Sequence, residues 1–373
     1  MKAIGIGIIA FLLFLLQRKI YKKYWDKKLK VSVAFAQQAI TQGQVGEVVE
    51  VIENRKRLPL NLLKVKFQTS RYLEFADNPD ARNMDQYYRN DLFQIRGGER
   101  ITRRLKFVGL KRGYYHIRNI DLVASDLLMS HEMSKQMATQ SYLYVYPKIF
   151  ESEEFTESLQ KLNGEILVKR HLMEDPFEYR GIREYQPFDD IRSVNWKATA
   201  RTGALKVNQK NYTAMQTVRI FLNIEDTGIS KRGDAVEASM QIAMGIASYF
   251  LAQGIKVAFY GNGRDIISGD AVNIAGGAGA GQLDAIRKAL ARIDTDQPVF
   301  SFAKLYEERL LKDAGSTVTM FISPNGYDDF LELLGKCESA GMDYVWFYPH
   351  TGVRPKVPEG VKHYVRFLKF ERS

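Results

Sequence analysis

Only one cysteine, Cys337, occurs in the 373 residues. That excludes an internal disulfide framework and any multi-cysteine zinc site. Histidine is scarce too: His116, His131, His171, His350 and His363 are scattered, with no metal-ligand spacing among them. No Gly-x-Ser-x-Gly elbow is present, and Cys337 has no neighbouring histidine in sequence, so nucleophilic catalysis has little support. The glycine run Gly276–Gly281 resembles a phosphate cradle. Gln282 breaks the Gly-x-Gly-x-x-Gly spacing and no Gly-Lys-Ser/Thr comes after it, so the run is expected to be a turn. Internal repeats and low-complexity tracts are lacking. With 45% hydrophobic and 26% charged residues, the chain has the composition of a folded globular protein.

The net charge of +11 is unevenly placed. Residues 18–30 hold seven lysines and arginines against the single Asp26, a net of +6, and residues 31–373 carry only +4. The basicity is a local cluster, which argues against a nucleic-acid-binding face. The cluster comes directly after Ala3–Leu16, an uncharged apolar run. As a helix this run spans roughly 21 Å, short of a hydrocarbon core of roughly 30 Å. Gln17, Ile20 and Tyr21 extend it, and Arg18 and Lys19 reach outward. Tyr21, Tyr24 and Trp25 fall where an interfacial aromatic belt is expected. Gln-Arg-Lys stands after the run in place of a small-x-small cleavage site, so the segment is expected to be a retained anchor in contact with membrane lipid. Its C-terminal basic flank places the rest of the chain in the cytoplasm, with the N-terminus outside.

From Leu29 to Tyr146 the pattern is short and alternating: Val31–Phe35, Val48–Ile52, Leu63–Phe67, Ile101–Val108, Tyr114–Ile117 and Ser141–Tyr146 read as strands of a β-sandwich. Ala76–Asn90 reads as a long surface loop. After Val218 strands and helices alternate: strands at Val218–Ile224, Lys256–Tyr260, Thr317–Ile322, Tyr344–Tyr348 and Val361–Phe370, and helices at Val236–Ala252, Leu283–Ile293, Ala303–Leu311 and Phe330–Ala340. That alternation implies a mostly parallel sheet with helices on both faces. The expected organisation is an anchor with its basic segment (1–28), a β-sandwich (29–150), a connecting segment (151–215) and an α/β domain (216–373).

The connecting segment is the densest in specific side chains. It holds Arg180, Arg183, Tyr185, Asp189, Asp190, Arg192, Trp196, Lys197 and Arg201 within a few turns of chain, with Glu184 among them. Arginine pairs with carboxylates in bidentate fashion and stacks on aromatic faces, so these residues are expected to form a partly desolvated network. It serves as a brace between domains or as a docking face.

This run resembles the signature of a bacterial family, domain of unknown function 58. The family pattern places Arg-x-Tyr, Gly-Asp-x-x-Arg and Trp-x-Ala-Ser/Thr-Ala-Arg at fixed spacing. Arg183, Tyr185, Asp189, Arg192, Val194, Asn195, Trp196, Ala198, Thr199, Ala200 and Arg201 stand at matching places. Phe188 stands where the family has glycine, and Arg112–Tyr115 and Val145–Pro147 extend the likeness. The resemblance implies an Ig- or fibronectin-like sandwich, a von Willebrand factor type A-like α/β domain, no cofactor, and a non-enzymatic adaptor. As partner it implies a MoxR-type AAA+ ATPase engaged in assembling or maturing protein complexes. A von Willebrand A-like sheet invites a divalent-metal site after its first strand, usually Asp-x-Ser-x-Ser. Here the register gives Asn223, Glu225 and Thr227, a degenerate set with one charge withdrawn. A membrane-associated enzyme with a metal at that place is the rival reading.

Overall fold

The computed structural model describes residues 2–76, 86–172, 179–187, 189–210, 217–226, 233–312, 317–352 and 354–371. Thr227, Phe188 and most of the expected surface loop lie outside these. The chain divides into two compact units, Met1–Lys148 and Ile149–Ser373.

The first unit opens with helix α1 (Lys2–Tyr24). Nine strands come next among the described residues: β1 (Leu29–Phe35), β2 (Ala39–Thr41), β3 (Val45–Asn54), β4 (Leu60–Ser70), β5 (Leu73–Phe75), β6 (Gln86–Ile95), β7 (Arg100–Gly109), β8 (Gly113–Ser125) and β9 (Glu132–Tyr146). They form two sheets, ordered β1-β3-β7-β5 and β2-β9-β8-β4-β6. Alternate residues such as Val31 and Val33, Leu63 and Val65, and Ile120 and Leu122 turn inward to one shared apolar core. Gln86–Asn90, expected in a loop, belong instead to β6, paired with β4 from Lys66 to Ser70.

Helix α1 is apolar and exposed along most of its length, with Ile4, Phe11, Leu12 and Leu16 all open. Its far end is different. Tyr21 and Trp25 are buried, 3% and 6% exposed, and join the core of the β unit. Two of the three expected belt aromatics are therefore packed into protein; Tyr24 alone stays open, with Lys23 and Lys27 over its ring. A core that begins after residue 28 is not what the chain builds, and removing residues 1–28 would strip two large side chains from it.

The second unit starts with α2 (Glu153–Leu172). β10 (Tyr179–Glu184), α3 (Trp196–Thr202) and β11 (Lys206–Lys210) make a small lobe. The remainder is β12 (Thr217–Leu222), α4 (Gly233–Ala252), β13 (Lys256–Asp265), β14 (Ala271–Gly277), α5 (Gly279–Arg292), β15 (Ile293–Asp294), α6 (Phe302–Lys312), β16 (Thr317–Ile322), α7 (Asp328–Ser339), β17 (Tyr344–His350) and β18 (Val365–Lys369). The sheet order is β14-β13-β12-β16-β17-β18, and the run β13-β12-β16-β17-β18 is parallel. β14 closes one edge antiparallel.

A sheet buried on both faces needs strands that are apolar throughout. β12 and β17 come close, reading Thr-Val-Arg-Ile-Phe-Leu and Tyr-Val-Trp-Phe-Tyr-Pro-His, with every residue of β17 buried; the exception in β12 is Arg219, buried and donating to Thr319 Oγ1 on the neighbouring strand at 2.9 Å. α2, α4 and α5 cover one face through Phe155, Met240 and Ile286; α6 and α7 cover the other through Tyr306 and Phe330. Two helices among the described residues are long and apolar enough to cross a membrane, α1 and α4. α4 spends its apolar surface inside this core, whereas the apolar residues of α1 from Ile4 to Leu16 are almost all open.

Candidate functional site

The signature lobe is built on a two-stranded antiparallel ladder, β10 with β11. Arg183 on β10 reaches Asp189 with both ends of its guanidinium, Nη1 to Oδ2 and Nη2 to Oδ1, each 2.6 Å. The same carboxylate accepts the backbone N–H of Gln186 at 2.8 Å. The Arg183 contact and this N–H hold the Asp189 carboxyl below the usual carboxylate range. Asp190 accepts the N–H of Arg192 and starts a single 3-10 turn, Ile191–Ser193. Asn195 then caps α3, its Oδ1 accepting from Ala198 N at 2.9 Å, while its Nδ2 donates to Asn208 Oδ1. Gly203 ends α3 in the left-handed region, φ 70°. Thr199 Oγ1 accepts from Lys206 N, and Lys206 Nζ reaches Glu184 Oε1 at 3.1 Å.

The acidic side chains are thus absorbed locally: Asp189 by Arg183, Glu184 by Lys206, and Asp190 as a cap. Arg192, Lys197 and Arg201 are exposed, and their charged ends meet no counter-charge among the described residues. Trp196 is 65% exposed, and Ile191, five residues before it, is 66% exposed. The expectation of a desolvated network around this tryptophan is corrected on this point. The pairing is local and the aromatic faces outward, because a seven-residue helix capped at both ends can satisfy its own backbone without burying a face. Tyr185 is half-buried, its N–H donating to Leu205 O. Arg180 lies on β10, and its side chain is outside the described set.

The second candidate lies at the carboxyl end of the parallel sheet, where ligands bind in open α/β folds. Asn223, fully buried, comes directly after β12. Its Oδ1 accepts from Glu225 N and from Asn262 Nδ2, each at 3.0 Å, and its Nδ2 donates to Ser323 Oγ at 3.3 Å. Asn262 also accepts from Ile224 N and donates to Phe300 O. Ser323 Oγ donates to Asn325 O, and the amide of Asn325 closes the circuit on Glu225 O. Glu225 accepts the N–H of Phe302 at the start of α6; burial pushes its carboxyl above the usual range, Asp329 adding to the rise.

The circuit is made of amides and hydroxyls, and no cluster of three or more His, Cys, Asp or Glu occurs among the described residues. A hard divalent cation asks for several carboxylate or carbonyl oxygens. Here Asn223 Oδ1 is already taken twice, and Asn262 and Asn325, absent from the sequence-based set, hold the place with neutral groups. A cleft of about 860 Å³ opens alongside, lined in part by Asn325, Tyr327, His350, Arg354 and Lys356. At the glycine run, Gln282 Nε2 donates to Val257 O and Ala275 O, which ties the turn before α5. Cys337 is buried within α7.

Residues 181–266 match the family described as "Protein of unknown function DUF58". The match takes in the signature lobe from Gly181 onward, β12, α4 and β13. No curated protein matches the chain. Among solved structures, the sporulation control protein Spo0M from Bacillus subtilis aligns at 13% identity with a TM-score of 0.19. It covers 43% of this chain and 58% of that one. The Pseudomonas fluorescens alkylpurine DNA glycosylase AlkC, bound to DNA containing an abasic site analog, aligns at 9% identity with a TM-score of 0.20, covering 32% and 31%. The chain therefore spans less than two thirds of either.

Proposed function

We propose that this chain, whose residues 181–266 carry the DUF58 match, is a membrane-anchored adaptor that recruits a protein partner through its signature lobe. One observation carries the reading: Trp196 stands open, and three exposed cations within five residues of it in sequence, Arg192, Lys197 and Arg201, meet no counter-charge among the described residues. Tryptophan and arginine dominate the energetics of protein interfaces, and unpaired rim charges steer and select partners. On α3, Trp196 and Ala200 are one helical turn apart, as are Lys197 and Arg201, so one face offers both kinds of contact. The partner accordingly presents an acidic surface with an apolar recess. By the family resemblance it is a MoxR-type AAA+ ATPase, and the two act in the assembly or maturation of a protein client.

In this reading α1 spans the cytoplasmic membrane once and both units face the cytoplasm. The first unit is an Ig- or fibronectin-like sandwich, and the parallel sheet a von Willebrand A-like domain whose metal place has been given over to amides. The test is recovery of partners from native membranes by full-length wild type and by Trp196→Ala/Arg192→Ala. A stoichiometric AAA+ ATPase lost in the double variant supports the reading; equal recovery of the same partners by both overturns it.

A second reading, a membrane-associated enzyme with a divalent metal at the sheet end, draws on the cleft there and on Asn325 Oδ1 and His350 Nδ1, buried without hydrogen-bond partners among the described residues. Calorimetric titration with magnesium, manganese and calcium separates the two. A micromolar site abolished by Glu225→Ala favours the enzyme.

A further inference from the structure

The first unit carries a second apolar feature besides α1. The turn between β8 and β9 places Leu127, Leu128 and Met129 at its tip, 46%, 61% and 60% exposed. Three consecutive apolar residues at an exposed hairpin tip are costly in water unless something covers them. The tip is held in one shape. Asp126 is buried beneath it, and its carboxylate accepts from Ser130 N at 2.7 Å and Ser130 Oγ at 2.6 Å. Met129 sits in the left-handed region at φ 56°. Glycine or asparagine is the usual choice there, and neither would add an apolar surface.

The place of the tip along α1 indicates its cover. Lys135 on β9 pairs with Asp26 at 2.9 Å, beyond the basic end of the helix. Nearer the tip, Asp126 accepts from Gln17 Nε2 at 3.1 Å. The hairpin therefore runs beside the helix from residue 26 toward residue 17, and its tip continues in the direction of the apolar run that ends at Leu16. A second contact sets the level of the lipid headgroups. Tyr21 OH donates to Pro59 O, and Arg55 N donates to Lys28 O, which brings Arg55-Lys56-Arg57 beside the basic end of α1. Four residues of helix separate Gln17 from Tyr21, roughly 6 Å. Cations at the headgroup level with apolar side chains just inside is the arrangement of an interfacial membrane contact.

We propose that Leu127-Leu128-Met129 enters the bilayer interface beside α1, so that the β unit is fixed to the membrane at two points. The proposal rests on α1 being the anchor. With Tyr21 and Trp25 locked into the β core, the tip then fixes the tilt of the unit on the membrane.

The test uses the full chain in vesicles of phosphatidylethanolamine and phosphatidylglycerol. An environment-sensitive fluorophore is attached at Leu128→Cys, with Leu12→Cys and Val45→Cys as references. Val45 starts β3, nine residues along the strand from Asn54 and roughly 30 Å from the basic end. Cys337 is buried, and burial pushes its thiol up to about 11, so wild type stays unlabelled. The Leu128 probe should shift to the blue and be quenched several-fold more by nitroxide-bearing lipids than the Val45 probe, which should answer to aqueous iodide. If Leu12 is quenched by lipid while Leu128 answers to iodide, the proposal is wrong and the anchor stands. A blue-shifted Leu128 probe without lipid quenching means that protein covers the tip, and also overturns it. If Leu12 escapes lipid quenching too, the anchor reading itself has failed.

Discussion

At the end of β12, Asn223 engages its amide in three hydrogen bonds and is fully buried; twenty-seven residues earlier, Trp196 stands open with Arg192, Lys197 and Arg201 around it. Both places are dense in polar or specific side chains. One turns its polar atoms on each other, and the other leaves its cations open to solvent. The difference separates what a group does for the fold from what it offers to another molecule. A buried circuit whose groups bond one another contributes stability and leaves little for a ligand to use, here Asn325 Oδ1. An unpaired exposed cation contributes almost nothing to stability and is available for association.

The comparison breaks most directly at Asn223→Asp. A carboxylate there would be buried without a cation, although Glu225 N and the Asn262 amide still donate to it. We expect a loss of roughly 3 kcal/mol, the low end for an uncompensated buried charge. For a unit of this size that is a fall of roughly 6–12 °C in melting temperature. Asn262→Ala, which removes the side-chain partner of Ile224 N and Phe300 O and one of the two donors to Asn223 Oδ1, should cost roughly 2–4 kcal/mol. Millimolar magnesium should not restore Asn223→Asp. Restoration would mean that the sheet end is a metal site lacking one charge, and the contrast with the lobe would collapse.

A buried carboxyl in the β unit extends the closed case to pH. Glu50 on β3 is fully buried, with Arg103 Nε at 3.7 Å from its carboxylate. Arg103 and Arg89 instead donate to Asp91, each at 2.5 Å. Burial, with Asp91 adding to it, pushes the Glu50 carboxyl from 4.5 up to about 8. Between those values the folded chain holds a proton that the unfolded chain releases, so stability falls as pH rises through the window and levels off above it. Glu50→Gln should match wild type near pH 5 and exceed it near pH 9, by on the order of a few kcal/mol. Chemical denaturation at the two pH values checks this. An unchanged difference would show that the carboxyl is already ionised in the fold.

How far these features could be read in advance depends on the range of the interactions that make them. Strand β16 and helix α4 arise from local apolar patterning, and both lie where that patterning puts them. Helix α2 carries the same signal, with Phe155, Leu159, Leu162 and Ile166 near helical spacing and Glu153 and Glu154 at its start, yet beside the charged signature downstream it passes for part of a connecting segment. β10 and β11 lack apolar alternation, since Arg-Gly-Ile-Arg-Glu and Lys-Val-Asn-Gln-Lys hold one large apolar residue each, Ile182 exposed and Val207 buried. Asn262 and Asn325 join Asn223 from distant positions, and only the parallel register of β12, β13 and β16 brings them together. Tyr21 and Trp25 suit a lipid interface and a protein core equally by type; contact with the β sheets decides between the two.

The smallest effect on stability is expected where the sequence is densest. Trp196→Ala, Arg192→Ala and Lys197→Ala each remove an exposed side chain that meets no hydrogen-bond partner among the described residues. Each should alter stability by no more than about 0.5 kcal/mol, the usual range for surface positions. For the α/β unit that is a melting shift of about 2 °C at most. Arg183 is the internal control. Its two bonds to Asp189 hold the lobe together, so Arg183→Ala should loosen β10 against β11, seen as faster amide exchange at Ile182 and Asn208, which face each other in that ladder. Partner recovery should fall for Arg183→Ala through lost shape, and for Trp196→Ala and Arg192→Ala with the exchange pattern intact. A large melting shift in Trp196→Ala would mean that the aromatic is covered within the folded chain. The lobe would then belong with Asn223 among the closed sites.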